Sequence, residues 1–436
     1  MKKILSLALV FAMVLALCPV FASAEATYSE SPALTAKVDA GELPPVAERL
    51  PSDPQILEVA EVGTYGGLWR QATPSGTFSH AHSHMTRYLS QSALIYDRDH
   101  VTIIPNWIST FEHNDEYTEF TFKLRDGLKW SDGEPVTTED VAFWYNDILK
   151  NTEFTASDKY YADCTLDVVD DLTWKFTFEA TKPLYPQYWA GSMHSRFAYP
   201  AHYLKQYHPT YTDADTLAAT LAEEGYDDWK SCMEAKTDEQ KNPALPVLGP
   251  WVMTVDPAET NAVTFERNPY YAVVDQNGNQ LPYIDSAIIN VTETTDLMNM
   301  KIISGEVDYQ AAGLSESFSN YPMFAQYAEE MNYKLWTANH NEPGALNFDI
   351  NVASLDPVKG PLLANVDFRI ALALGIDRDA IVSTFYAIGP FVSQKASFSW
   401  PQPFPIVIAA VRPVPAILLV VVQLVHVHTQ IGRAHV

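Results

Sequence analysis

The chain has 436 residues, with 54 acidic against 28 basic side chains and a formal net charge of −26 at pH 7. Acidity of this size, without a basic patch or stripe, excludes nucleic acid and anionic membrane surfaces as partners, because their phosphates would be repelled. One hydrophobic core rarely serves more than about 100–200 residues, so this length predicts at least two lobes with room for a cleft between them.

The first 24 residues read as an export signal: Lys2 and Lys3 precede an apolar run over residues 4–17, which ends near the small residues Ala22, Ser23 and Ala24. The run is shorter than the roughly 20 residues that span a bilayer, so cleavage after Ala24 and an extracytoplasmic mature chain are expected. Residues 15–18 (Leu-Ala-Leu-Cys) are similar to a lipoprotein box that would anchor the chain through Cys18. Leu17 is too large for the position before such a cysteine and Pro19 obstructs cleavage, so export without a lipid anchor is expected. Cys164 and Cys232 then remain, too few for a disulfide-dense scaffold or a cysteine-rich zinc site, with room for one bridge in an oxidising compartment.

Residues 25–54 are rich in Ala, Pro, Ser and Glu without apolar periodicity and read as a flexible leader. A strand opens at Gly66-Gly67-Leu68-Trp69-Arg70 and runs into the polar loop Pro74-Ser75-Gly76-Thr77. Residues 118–124 alternate, which places Phe120, Phe122 and Leu124 on one buried strand face. Asp126-Gly127 and residues 131–135 turn the chain, and Thr137 is placed to cap a helix whose inner stripe is Val141, Trp144, Tyr145 and Ile148. Residues 166–171 and 172–180 form a predicted hairpin with Trp174, Phe176 and Phe178 inward. A helix is expected over 216–224 and strands over 249–267, in a different sheet from the first. Helical and strand patterns then alternate through 286–291, 295–303, 307–310 and 368–385, as in a mixed α/β lobe.

Six stretches, in this order, carry a resemblance. They are residues 120–137 (Phe-Thr-Phe-Lys-Leu-Arg-Asp-Gly-Leu-Lys-Trp-Ser-Asp-Gly-Glu-Pro-Val-Thr), 139–141 (Glu-Asp-Val), 249–251 (Gly-Pro-Trp), 265–271 (Phe-Glu-Arg-Asn-Pro-Tyr-Tyr), 303–308 (Ile-Ser-Gly-Glu-Val-Asp) and 369–378 (Arg-Ile-Ala-Leu-Ala-Leu-Gly-Ile-Asp-Arg). Together they resemble the family 5 extracellular solute-binding proteins, the oligopeptide and dipeptide receptors of ABC importers. The resemblance implies an α/β, periplasmic-binding-protein-like type II fold: two lobes around a cleft, with an extra inserted β-rich domain. On this sequence the first lobe falls at 55–90 and 186–290, the inserted domain at 91–185 and the second lobe at 291–394. Full members continue beyond the helix at 369–378, so the resemblance also implies that the return into the first lobe lies outside this chain. Residues 380–436 contain no Asp or Glu, and the last six back-translate as ATC GGA AGA GCA CAC GTC, similar to sequencing-adapter DNA. Residues 395–436 are therefore expected to be non-native.

The implied function is capture of a small peptide and delivery to permease subunits by a monomer without cofactor, metal or covalent chemistry. Family receptors pair with the peptide backbone much as a strand does. The matching positions are the loop with Thr77 and Phe78, the Tyr160-Tyr161 region, and Gly344, Ala345 and Asn347. Two constellations add to these. His80, His82 and His84 alternate and share a face if extended, which admits a metal chelate, although no paired carboxylate or cysteine accompanies them. Tyr160, Tyr161, Tyr185, Tyr188 and Trp189 supply rings that stack on a peptide or an oligosaccharide. No enzyme signature is present: G-x-S-x-G, H-E-x-x-H, the phosphate-cradling loop and G-x-G-x-x-G are all lacking. A secreted hydrolase working through two placed carboxylates is the alternative from another class.

Overall fold

The computed structural model describes residues 28–75, 81–82, 92–97, 99, 101–154, 160–191, 196–255, 257–310, 320–340, 351–377, 380 and 404–411. From Tyr28 onward the supposed leader is folded onto the body. Ser31 caps helix α1 (Pro32–Asp39) by accepting the Leu34 N–H at 3.2 Å, and a short helix α2 (Val46–Arg49) follows. What holds this strap down is Arg49, whose side chain is wholly buried: it donates to the Pro269 carbonyl and to Gln280 Oε1, and it pairs with Glu30. A buried guanidinium is tolerated only where its N–H groups are met, and these partners from the far chain meet them. At the start of the strap the Ser29 N–H donates to the Gly278 carbonyl at 3.0 Å.

After strands β1 (Gln55–Leu57) and β2 (Leu68–Pro74), the chain enters a β-rich unit. A small hairpin of β3 (Leu94–Tyr96) and β4 (Ile103–Pro105) precedes β5 (Ile108–His113) and β6 (Glu119–Leu124). Helix α3 (Thr138–Phe143) comes next, then β7 (Cys164–Val168) and β8 (Thr173–Phe178), which complete an antiparallel sheet ordered β5-β6-β8-β7. The alternating residues behave as their period requires: Phe120, Phe122 and Leu124 are fully buried, as are Trp174 and Phe176. Phe122 lies opposite Trp174 across the ladder with ring centres 5.1 Å apart, and Trp107 stacks on Trp174 at 6.2 Å and 18°. Each such ring contributes about 1.5–3 kcal/mol by burial. The Thr137 hydroxyl and the Asp140 carboxylate form a reciprocal cap on α3, and beyond Phe143 the helix widens into a π turn over Trp144–Leu149. Helix α4 (Tyr185–Gly191) closes the core with Trp189.

A helical layer follows: α5 (Ala201–Leu204), α6 (Ala214–Glu224) and α7 (Trp229–Thr237), the last two capped by the side chains of Asp213 and Asp228. Cys232 lies in the core of this layer and Cys164 in that of the β-rich unit; both are free thiols, so the bridge that the sequence allowed is not formed. Next come β9 (Trp251–Met253), β10 (Ala262–Arg267), β11 (Val273–Asp275) and β12 (Ser286–Thr292). Strand β11 pairs with β1 in a separate two-stranded sheet; β9, β10 and β12 join β2 in the second sheet, ordered β2-β12-β10-β9, in which β2 and β12 are parallel. One face of that sheet buries Trp251, Val263, Phe265, Ala287 and Ile289.

The last described part holds α8 (Thr295–Ile303), β13 (Tyr309–Gln310), α9 (Tyr321–Tyr327), β14 (Lys334–His340), α10 (Lys359–Ala364), α11 (Val366–Leu374) and β15 (Phe404–Val411). Strand β15 runs between β13 and β14, antiparallel to both. The described part of the segment marked non-native is thus a strand, in keeping with its Val and Ile content. Met298, Ile302, Val307, Phe324 and Tyr333 share a core with Ala72 of β2, so this unit packs directly on the second sheet. Among the described residues no helix is long and apolar enough to cross a membrane.

Candidate functional site

Parallel strands β2 and β12 leave the second sheet at the same end, and ligands of open α/β sheets settle outside the carboxyl ends of such strands where the topology switches. Beyond β2 the chain enters 76–80; beyond β12 it crosses to α8. The crossing is tied down. The Thr292 hydroxyl reaches the Thr73 and Thr294 carbonyls at 3.2 and 3.0 Å, Asn290 donates to the Gln71 carbonyl at 3.3 Å, and Thr294 caps α8 through the Leu297 N–H. On its side away from β12, β2 is met by side chains: Asp308 Oδ2 accepts the Arg70 N–H at 2.9 Å and Gln310 Oε1 accepts the Ala72 N–H at 3.1 Å. Hydrogen bonding to Asp308 also raises the Arg70 pKa above its ordinary value.

His82 lies near this sheet but inside it. It is 1% exposed, its ring is 5.6 Å from Phe265, and it borders a small cleft, with room for little more than a water molecule, shared with Glu239, Asn242 and Trp251. Glu239 in turn sits 3.8 Å from Arg196. Among the described residues no group of three or more His, Cys, Asp or Glu is arranged to hold a metal ion. The companion histidines His80 and His84, and the expected ligand contacts Thr77, Phe78, Gly344, Ala345 and Asn347, lie outside the described residues.

The structure brings Tyr160, Tyr161 and Trp189 together on the β-rich unit but gives them different surroundings. Trp189 has no exposed surface: its ring meets Phe120 edge-on at 4.9 Å and its indole N–H donates to the Tyr161 hydroxyl at 2.9 Å. Tyr161 is 3% exposed, so both rings fill the core, where an aromatic strand face needs a bulky cover, and present no surface to a ligand. Tyr160 differs, being 38% exposed and stacked on Tyr188 at 4.7 Å, with the Tyr185 hydroxyl donating to its carbonyl at 2.6 Å. Lys182 flanks this shelf, 5.4 Å from the Tyr185 ring centre and 2.9 Å from Asp163. Burial pushes the Tyr185 phenol above its ordinary pKa, with the Lys182 charge opposing. A partly exposed tyrosine beside a charged pair can contact an apolar ligand surface and bond its polar rim. Tyr270 and Tyr271 brace the fold: Tyr271 is buried, and the Tyr270 hydroxyl closes on Gly133 so tightly that a Cβ there would lie 2.8 Å from it.

Residues 102–405 match the family described as bacterial extracellular solute-binding proteins, family 5 Middle. The chain is 28% identical to a periplasmic alpha-galactoside-binding protein of Rhizobium meliloti (strain 1021), over 84% of this chain and 54% of that one. Among solved structures it is similar to an oligopeptide-binding protein OppA at 32% identity and a TM-score of 0.70, over 84% of this chain and 58% of that one. It is also similar to the periplasmic binding protein MelB of Agrobacterium fabrum C58 in complex with stachyose, at 25% identity and a TM-score of 0.65, over 84% and 56%. The chain spans about half the length of the curated relatives it matches, 54% and 42% of the first two.

Proposed function

We propose that this chain, which belongs to the bacterial extracellular solute-binding proteins of family 5, is the extracytoplasmic capture subunit of an ABC importer. It takes up a short peptide between two lobes and hands it to permease subunits, and no bond of the ligand is made or broken. The observation that carries this reading is the joint departure of β2 and β12 from one end of the sheet, with the chain crossing to a second unit there. The likeness to an oligopeptide-binding protein at 32% identity supports a peptide as the ligand. In this reading Thr77, Phe78, Gly344, Ala345 and Asn347 pair with the peptide backbone. His80 supplies a polar contact, while His82, being buried, belongs to the core and not to the ligand surface.

A second reading keeps the fold and changes the ligand to an oligosaccharide. The partial exposure of Tyr160, which stacks on Tyr188, favours it, since exposed tyrosine surface suits the apolar side of a sugar ring. An alpha-galactoside-binding relative supports it as well.

Thermal-shift and calorimetric titration of the full chain would use three probes: pooled di- to pentapeptides, stachyose, and nickel with histidine. A ligand at a hundred times its Kd stabilises the fold by about 2.7 kcal/mol. A shift with peptides alone is expected. A shift with stachyose alone replaces the ligand class, and silence from every probe overturns capture by this chain.

A further inference from the structure

Asn277-Gly278 is the one Asn–Gly pair in the sequence, and it lies in the turn that follows β11. Glycine has no Cβ, which leaves its backbone nitrogen open to the preceding side chain. That nitrogen can give up its proton and attack the Asn277 side-chain carbonyl carbon, so that ammonia leaves with the proton and a cyclic imide closes. Water then opens the imide at either carbonyl. The product is aspartate, or isoaspartate, in which the main chain runs on through the side-chain carboxyl and is longer by a methylene. Asn277 is exposed, so water reaches it. What opposes the reaction is hydrogen bonding. The Gly278 N–H donates to the Asp275 carbonyl at 3.0 Å, which keeps the attacking nitrogen turned toward Asp275 with its proton engaged. The buried Asp275 carboxylate accepts the Asn277 and Asn279 N–H groups at 2.8 and 2.9 Å, and the Tyr283 hydroxyl at 2.6 Å. The strap closes the turn from outside. The Ser29 N–H donates to the Gly278 carbonyl at 3.0 Å, the Ser29 carbonyl accepts the Gln280 N–H at 2.8 Å, and the Ser29 hydroxyl donates to Asn279 Oδ1. Arg49 holds strap and turn together from the buried side, through Gln280 Oε1 and the Pro269 carbonyl.

We propose that Asn277 is a site of spontaneous deamidation that the docked strap holds shut, and that its conversion to isoaspartate releases the strap in turn. The Gly278 nitrogen reaches the side chain only when the turn opens, and the frequency of opening is set by the contacts that must break. Two of those contacts are backbone bonds to Ser29, 250 positions before Asn279, so docking of the strap sets the rate. In the product the added methylene moves the Gly278 carbonyl and the Gln280 N–H out of register with Ser29, which bridges Asn279 in the intact turn. Gln280 is also drawn away from the Arg49 guanidinium, a buried charge that tolerates no lost partner. The change is irreversible, so a molecule that has lost its amide docks its strap less firmly than a fresh one. Nothing in this inference depends on which solute the chain takes.

Peptide mapping by mass spectrometry follows deamidation at residue 277 in the full chain at mildly alkaline pH, with a synthetic peptide of residues 273–281 as the unrestrained reference. The folded chain should react about tenfold more slowly than the peptide. Ser29→Pro, which removes the N–H and the hydroxyl at an exposed position, should recover most of that difference. Equal rates in chain and peptide overturn the protection, and a folded Ser29→Pro variant that reacts no faster than the unaltered chain overturns the part played by the strap. Should that variant not fold, the unaltered chain decides. Chain deamidated in urea, refolded and separated by its extra negative charge should exchange the amide hydrogens of residues 29–50 about tenfold faster than fresh protein. Asn277→Asp, which brings the charge without the added methylene, should leave that exchange unchanged. Equal exchange in fresh and deamidated protein refutes release of the strap, and equal acceleration by Asn277→Asp refutes the loss of register as its cause.

Discussion

Replacing Asp140 by Ala tests the central joint of the β-rich unit. The carboxylate is 3% exposed and accepts three donors: the Trp130 indole N–H at 3.1 Å, the Thr137 N–H at 3.0 Å and the Ala201 N–H at 2.8 Å. Burial raises its pKa, and these bonds from Thr137, Ala201 and Trp130 oppose the rise. Truncation strands all three donors, of which the Trp130 and Ala201 groups lie in residues about 2% exposed. At about 1–3 kcal/mol for each of these two buried donors, the loss is about 2–6 kcal/mol, a large share of the roughly 5–15 kcal/mol that holds a domain together. Asp140→Asn keeps the shape and one acceptor oxygen but turns an amide N–H toward one donor, so about 1–3 kcal/mol is expected. Urea unfolding followed by tryptophan fluorescence measures both, and Trp130→Phe in a double-mutant cycle isolates the indole bond. A loss below about 1 kcal/mol for Asp140→Ala would refute the claim that this carboxylate organises the joint between sheet, helix α3 and helix α5.

Two histidines should bend the pH profile in opposite senses. His202 is raised above its ordinary value of 6.5 by its 2.8 Å hydrogen bond to Asp132, so its stabilisation is present below 6.5 and is lost as pH rises through the raised value. Being partly exposed, the pair is worth at most about 1 kcal/mol, and His202→Gln should flatten the alkaline side of melting temperature against pH. Burial lowers His208, with the Asp147 and Glu153 charges opposing, so its contribution is present above 6.5 and is lost as pH falls through the lowered value. His208→Gln should soften that acid limb, and an unchanged limb would count against it. Gly133→Ala should cost more stability than Gly41→Ala: both have positive φ, +94° and +75°, but only Gly133 has a hydroxyl 2.8 Å from the new Cβ, and equal melting temperatures would contradict this. Burial pushes the thiols of Cys164 and Cys232 up to about 12 and about 11, so neither should react with a maleimide until denaturant is added; labelling of the native protein, read by mass, would disprove their burial.

Where a side chain's fate depends on its neighbours along one strand or helix, the sequence was readable. The alternation at Phe120, Phe122 and Leu124, the hairpin at Trp174 and Phe176, and the Thr137 cap all appear where their periods put them. The strap was not readable, because Arg49 is ordered by Pro269 and Gln280, 220 and 231 positions away, and nothing near it is periodic. The π turn after Phe143 also escaped notice, since Trp144 and Tyr145 keep the inward stripe through it. At the candidate site, aromatic content alone did not separate Tyr160, which is open, from Tyr161 and Trp189, which are filled in. Neighbours in sequence face opposite ways, and only packing decides which side meets solvent. Asp308 stood in plain view within a scaffold motif, but its partner Arg70 lies 238 positions earlier, a distance that no local pattern spans.

The stacked pair of Trp107 and Trp174 carries one more consequence. Two indoles 6.2 Å apart and 18° from parallel couple their electronic transitions, and the ladder that sets their geometry belongs wholly to the β-rich unit. Near-ultraviolet circular dichroism should therefore show a strong band that follows the melting of this unit alone. Trp69, placed between Trp251 and Tyr309 at the other sheet, would report separately on the region where the chain crosses over. The molecule thus carries two native optical probes, one on each sheet, by which the order of their unfolding can be read without attaching a label.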